Sequence, residues 1–149
     1  MWPWIIIVGI GAILYMERKP IQKLVVQTAY SDMASVYASR WSVPLPLVLA
    51  VIEQESSGNP LAHGGADDRG LMQITPVALA QFNQSNNAMV TADDLWKPET
   101  NIMVGTWTLH WCYDQLHDWT LATQAYNAGV HRVQTNPLAG AQYAAQVLD

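Results

Sequence analysis

Between Pro46 and Gly58 the chain reads Leu47-Val48-Leu49-Ala50-Val51-Ile52-Glu53-Gln54-Glu55-Ser56-Ser57, an apolar run that ends in two carboxylates. Proline is favoured at the first position of a helix and glycine just past the last, so this segment predicts a short helix from Pro46 to about Ser57. At about 100° per residue, Val48, Val51, Ile52 and Glu55 fall at i, i+3, i+4 and i+7, on one face. That face is the apolar one. Glu55 therefore shares the stripe that turns toward a core, whereas Glu53 and Gln54 point away from it. A carboxyl without a cation on a buried face loses hydration in its charged form, and its pKa rises above the usual value of about 4.3. A glutamate kept protonated near neutrality is what a general acid requires. The plainer reading is a frayed, wet helix end, and periodicity alone leaves both open.

Outward from this helix the chain reads as mainly α. Ser31 or Asp32 can cap a helix running to about Trp41, and Ser42-Val43-Pro44 stops it. Asn59 to Gly70, rich in Gly and Asp, suits loops or small strands. Thr75-Pro76 opens a helix to about Phe82, followed by a polar loop over Asn83 to Asn87. A long helix is expected from Pro98 or Glu99 to about Leu116. Asp118 can cap Trp119 to Ala128, with Gly129 ending it. Asn136-Pro137 precedes a last helix through Val147.

A chain of 149 residues, 50% of them hydrophobic, suffices for one domain with a real core. The net charge of -5 and the lack of any basic run leave no electrostatic footprint for nucleic acid. The single cysteine, Cys112, excludes an internal disulfide framework and reads as a small buried apolar residue. His63, His110, His117 and His131 show no His-x-x-x-His or His-Glu-x-x-His spacing and no paired cysteines, so neither metal nor cofactor is expected. No Gly-x-Ser-x-Gly elbow is present. Trp107 and Trp111, four apart on the long helix, read first as packing residues and only second as sugar-stacking ones.

The N-terminus is different in kind. Trp2 to Met16 is apolar all round and ends at Glu17-Arg18-Lys19. Its aromatics at both ends fit an interfacial belt. At 1.5 Å per residue it spans roughly 22 Å, short of a hydrocarbon core of about 30 Å. No small-x-small cleavage signal follows. Residues 1–19 are therefore read as an uncleaved hydrophobic membrane anchor or signal-anchor, 20–30 as a linker or connecting helix, and 31–149 as the folded domain.

Three blocks then stand in order: Glu55-Ser56-Ser57-Gly58-Asn59-Pro60, Gly70-Leu71-Met72-Gln73-Ile74-Thr75-Pro76 and Ala125-Tyr126-Asn127-Ala128-Gly129. Together they resemble the catalytic domain of the soluble lytic transglycosylases, the goose-lysozyme-like group of the lysozyme superfamily, over about Tyr30 to Asp149. The resemblance implies a lysozyme-like helical domain with a small β-hairpin region beside the cleft, near Ala62 to Gly70, and thus a mainly α (α+β) fold. It implies that Glu55 is the single catalytic acid/base, that Gln73 positions the sugar and that Tyr126 holds or polarises Glu55. Asn127 lines the cleft, and Ser56 supports the helix end or touches substrate. Asn101-Ile102 with Gly105 matches the helix after the cleft, and Tyr143 matches a tyrosine near the family's C-terminus. Four positions depart from the pattern: Gly64 where serine is frequent, Asp67-Asp68 where Gly-Ala is frequent, and Thr108 where tyrosine is usual.

The expected substrate is the glycan strand of peptidoglycan, cleaved between N-acetylmuramic acid and N-acetylglucosamine with formation of a 1,6-anhydro ring. Two other readings stay open. One is a hydrolytic muramidase in which Asp67 or Asp68 activates water. The other is a non-catalytic wall-binding piece of a phage particle or envelope machine. Either way the domain must reach the wall, in the periplasm or envelope. Arg18, Lys19 and Lys23 follow the apolar stretch and no Lys or Arg precedes it, which by the positive-inside rule keeps the domain cytoplasmic. A marginal anchor that can leave the bilayer, or carriage in a virion, resolves that conflict.

Overall fold

A computed structural model of the chain describes the backbone over residues 3–149 and the side chains from Pro20 onward. Among the described residues there are seven α-helices and no strand. They are α1 (Pro3–Arg40), α2 (Leu45–Ser56), α3 (Pro76–Asn86), α4 (Pro98–Leu116), α5 (Trp119–Ala128), α6 (Val130–Thr135) and α7 (Ala141–Leu148), with a 3-10 turn at Asp93–Trp96.

Local chemistry sets most helix ends. Thr75 caps α3 by accepting a 3.0 Å bond from Ala78 N, with Pro76 as the first helical residue. Asp118 caps α5 by accepting from Leu121 N at 2.8 Å. Ser57 (φ 52°) and Gly58 (φ 79°) turn the chain out of α2 through the left-handed region.

Four expectations are corrected. No separate helix starts at Ser31 or Asp32; both lie inside α1. Val26, Tyr30, Ala34 and Tyr37 form one stripe turned to the core, so the buried face runs unbroken through that point. Next, α3 continues to Asn86 rather than ending near Phe82, because its polar last turn is anchored. Asn83 bonds Val90 both ways (Nδ2 to Val90 O 2.8 Å, Val90 N to Oδ1 3.0 Å), and Asn86 Nδ2 donates to Phe82 O.

The last helix begins at Ala141, not at Asn136-Pro137, and α6 precedes it. Gly140 (φ 74°) fixes that start: a side chain there would meet Gln124 O at 2.6 Å. Finally, the expected β-hairpin near Ala62 to Gly70 is reduced to two isolated bridges, His63 with Arg69 and Arg69 with Ile74. Positive φ at Asp67 (62°), Gly70 (76°) and Gln73 (48°) turns the chain after each rung, so no extended run grows into a strand.

Helix α2 is the centre of the packing. Val48, Val51 and Ile52 are fully buried, and Leu47 and Leu49 nearly so, because α2 lies against both α1 and α7. Leu71, Met72 and Ile74 fill the core from the loop side, and Ile102, Val104 and Leu109 from α4. Trp107 is buried edge-on against Phe82, centroids 5.4 Å apart, so it is a packing residue. Burial likewise pushes the Cys112 thiol up to about 12. Among the described residues no helix is long and apolar enough to cross a membrane. The apolar stretch 1–19, expected to be an anchor, lies outside the residues whose side chains are described.

Candidate active site

Glu55 lies one residue before the end of α2, half-buried, on the continuation of the Val48–Ile52 face. Burial raises its pKa above the ordinary carboxyl value. A hydrogen bond from Tyr143 works against that shift, and the charge of Asp68 adds to it. The Tyr143 hydroxyl donates to Glu55 Oε1 at 2.5 Å. That bond and Glu55's charge sit in a buried setting that pushes the Tyr143 hydroxyl far above its usual range, so it stays a donor. Glu53 is turned to the opposite side of α2, where it lines an apolar hollow of about 330 Å³ that Glu55 does not reach.

The segment Gly70 to Gln73 runs past the end of α2, and three side chains from three helices hold its backbone. Ser56 Oγ on α2 donates to Leu71 O at 2.8 Å and accepts from Gly58 N at 3.2 Å. Tyr126 on α5 donates from its hydroxyl to Met72 O at 2.7 Å. Asn101 on α4, fully buried, accepts from Met72 N at 2.8 Å and donates to Arg69 O at 2.7 Å and Leu95 O at 2.9 Å. Both donors and the oxygen of its amide are thus engaged. Close approach on this side needs glycines. A methyl group at Gly70 would lie 2.2 Å from Asn101 Nδ2, and one at Gly105 would lie 2.4 Å from Met72 Sδ.

Gln73 adopts φ 48°, a conformation unusual for a residue with a side chain. Its Nε2 donates to Ala62 O (2.9 Å) and Gly70 O (3.0 Å), which orients Oε1 toward Gly64. Asn127 is exposed. Beside Tyr143 an open groove of about 560 Å³ is lined by Asn127, Leu138, Gln142, Tyr143 and Gln146.

The two aspartates of the loop part company. Asp67 Oδ1 binds Arg69 Nε at 3.0 Å and His63 Nε2 at 2.9 Å, and these contacts, Arg69 first, hold its carboxyl below the usual range. Arg69 also reaches Asp93 at 3.0 Å and lies over the Trp96 ring. Asp68 instead lies against Gly64, and its charge acts on Glu55 in the raising direction.

The structure thus brings Glu55 and Tyr143 together, with Ser56, Gln73 and Tyr126 forming the adjoining framework. The hydroxyl bonded to Glu55 is that of Tyr143; that of Tyr126 goes to the backbone of Met72. In the sequence Asn101 matches the family's helix after the cleft, but no spacing signal marks its three bonds. The positive φ of Gln73 also leaves no trace in residue type.

The family model described as the transglycosylase SLT domain matches residues 32–146. The soluble lytic murein transglycosylase of Escherichia coli K12 is 34% identical over 110 residues, covering 72% of this chain and 17% of that protein. The crystal structure of the 70 kDa soluble lytic transglycosylase from Escherichia coli superposes with a TM-score of 0.69 at 30% identity, over 80% of this chain and 20% of that one. An inactive mutant of the lytic transglycosylase Slt from Pseudomonas aeruginosa gives a TM-score of 0.74 at 24% identity, over 80% of this chain and 23% of that one. The chain therefore spans about a fifth of the length of these relatives.

Proposed function

The chain belongs to the transglycosylase SLT domain family, and from that premise we propose that it is a peptidoglycan lytic transglycosylase with Glu55 as its single acid/base. The observation that carries this reading is the state of Glu55: a carboxyl on the buried face of α2, desolvated and held by the Tyr143 hydroxyl, with its pKa raised.

In this mechanism protonated Glu55 gives its proton to the oxygen joining N-acetylmuramic acid to N-acetylglucosamine. The glycosidic C–O bond breaks and the glucosamine leaves as its alcohol. The muramic acetamide oxygen assists at the anomeric carbon. The Glu55 carboxylate then takes the proton of the C6 hydroxyl as O6 closes on the anomeric carbon, giving the 1,6-anhydro ring and restoring the acid. No water enters, so one carboxyl suffices. Tyr143 orients Glu55, and Asn127 with Tyr143 lines the groove in which a glycan lies. Gln73 positions the sugar, and Ser56 and Tyr126 fix the wall of the site.

Hydrolysis is the second reading, and the observation favouring it is a second carboxyl in the loop, Asp68, whose Oδ1 is buried without a hydrogen-bond partner among the described residues. Asp67, engaged by Arg69 and His63, is the poorer water base of the two. Mass spectrometry of muropeptides released in heavy-oxygen water separates the readings. 1,6-Anhydro ends without label support the transglycosylase; labelled reducing ends establish a hydrolase. Absence of any cleavage on purified peptidoglycan would leave a wall-binding module of a phage particle or envelope machine.

The place of action that fits is the bacterial envelope. The apolar stretch 1–19 supports membrane association with residues 31–149 as the catalytic domain facing the wall. N-terminal sequencing of the fractionated protein tests this: a mature chain starting near residue 20 replaces the anchor with a cleaved signal peptide.

A further inference from the structure

Helices α2 and α7 are joined by side-chain bonds from two consecutive residues of α2. Glu55 accepts from the Tyr143 hydroxyl, and Gln54 Nε2 donates to Gln146 Oε1 at 3.2 Å. Tyr143 and Gln146 are three residues apart on α7, so they are neighbours on one face of that helix. The second bond has no part in the chemistry assigned to Glu55. Both glutamines are exposed.

Gln146 stands between two hollows, since it lines both. One, of about 260 Å³, also holds Lys23, Glu53, Gln54 and Asp149 and is therefore charged. The other is the open groove of about 560 Å³ beside Tyr143. Among the described residues no charged side chain lines this groove. Besides Tyr143, its polar side chains are three primary amides, Asn127, Gln142 and Gln146, and its apolar edge is the exposed Leu138.

With its oxygen engaged by Gln54, the Gln146 amide has its NH2 left for the groove, a donor that calls for an oxygen acceptor. An uncharged groove with amide donors and an apolar edge suits a neutral acetamido sugar. The acetamide oxygen accepts, its methyl group finds an apolar contact, and no charge is left unpaired. Of the two sugars in a glycan strand, N-acetylmuramic acid carries a lactyl group that ends in a carboxylate or in a charged peptide. N-Acetylglucosamine carries no charge.

We propose that Gln146 is a specificity-determining residue for N-acetylglucosamine: Gln54 holds its amide so that Nε2 donates to the acetamide oxygen of that sugar in the groove beside Tyr143. This assignment rests on the reading of the chain as a glycan-cleaving enzyme with Glu55 as acid/base.

The test compares intact glycan strands with strands deacetylated on glucosamine, at a pH where the resulting amine is protonated. Values of kcat and KM are measured for the parent protein and for Gln146→Glu, which keeps an oxygen for Gln54 and replaces the donor by a negative acceptor. The parent is expected to favour the intact strand. In Gln146→Glu, KM for the intact strand should rise by about three- to tenfold, the worth of one hydrogen bond, with a smaller change in kcat. The same variant should use the amine-bearing strand better than the parent does, so that the preference narrows or reverses. Gln54→Ala, which releases the Gln146 amide, should raise KM for the intact strand by less and keep the parent's order of preference. If Gln146→Glu does not fold, Gln146→Ala takes its place and should erase most of the preference. Equal losses on both strands would make Gln146 a framework residue and overturn the proposal, as would an unchanged preference. If the parent cleaves neither strand, the enzymatic reading fails and the role of Gln146 with it. If the parent cleaves the intact strand and the folded variant keeps its preference, only the role of Gln146 fails.

Discussion

The hydroxyl of Tyr143 donates a 2.5 Å hydrogen bond to Oε1 of Glu55 across 88 residues of chain. The bond joins the last helix of the domain to the end of its central helix. It does two things of opposite sign to activity. It fixes the carboxyl in one orientation, and it favours the charged form that burial disfavours.

Tyr143→Phe should therefore lower cleavage by about ten- to a hundredfold, the equivalent of a hydrogen bond to a charged group. In the same variant the alkaline limb of the pH–rate profile should move to higher pH, because the carboxylate loses its donor. Tyr126→Phe removes a bond to Met72 O instead. It should lower thermal stability and leave the limb close to that of the parent protein. A pH shift in the second variant and none in the first would reverse the roles given to the two tyrosines.

Glu55→Gln should abolish glycan cleavage in a zymogram while the fold is kept, since it removes the transferable proton and keeps the shape. Glu53→Gln, on the other side of α2, should be nearly silent. Comparable losses in both would remove the distinction between the two faces of the helix.

Glu55→Gln should also alter stability in a pH-dependent way. Folding raises the Glu55 pKa, so its contribution is complete below the unfolded-state pKa and is lost as pH rises through the folded one. The variant should melt like the parent in acid and above it at neutral and alkaline pH, as when a functional site is relieved of its cost. Thermal melts at about pH 4 and about pH 8 make the comparison.

Asn101→Ala should destabilise the domain by about 3 kcal/mol, because Met72 N, Arg69 O and Leu95 O all lose their partner in the interior. Asn101→Asp should be worse still, since it sets a charge against two carbonyl oxygens. Denaturant unfolding measures both, and activity should fall with them, because the held segment carries Gln73.

Gly105→Ala should cost about 1–3 kcal/mol through overpacking, with the new methyl 2.4 Å from Met72 Sδ. A second change of Met72 to a smaller residue should recover part of the loss. A Gly105→Ala protein as stable as its parent would show that α4 and Met72 can separate freely.

The helices were legible wherever their signals are local. Pro76 and Thr75, Asp118 and Gly129 act within a turn of themselves, so their boundaries could be read from neighbours in sequence. Legibility failed where the deciding contact is distant. Asn83 continues α3 because it binds Val90, and Gly140 starts α7 because Gln124 O lies against it. Nothing adjacent to Asn83 or Gly140 encodes those partners. The expected hairpin failed for a related reason: positive φ at Asp67 and Gln73 is imposed by the contacts of the loop, not by residue type.

By itself the sequence determined that Glu55 stands on the apolar face of a helix and that Glu53 does not. A 3.6-residue period fixes the direction of each side chain from its own element alone. Only the tertiary structure decided what meets that carboxyl. Periodicity carries no information on distances between elements. It therefore could not tell that Tyr143 rather than Tyr126 bonds Glu55, nor that Asp67 is spent on Arg69 while Asp68 lies against Gly64. Those assignments belong to the packing of α2, α5 and α7 around one loop, where a few ångströms separate a hydrogen bond from none.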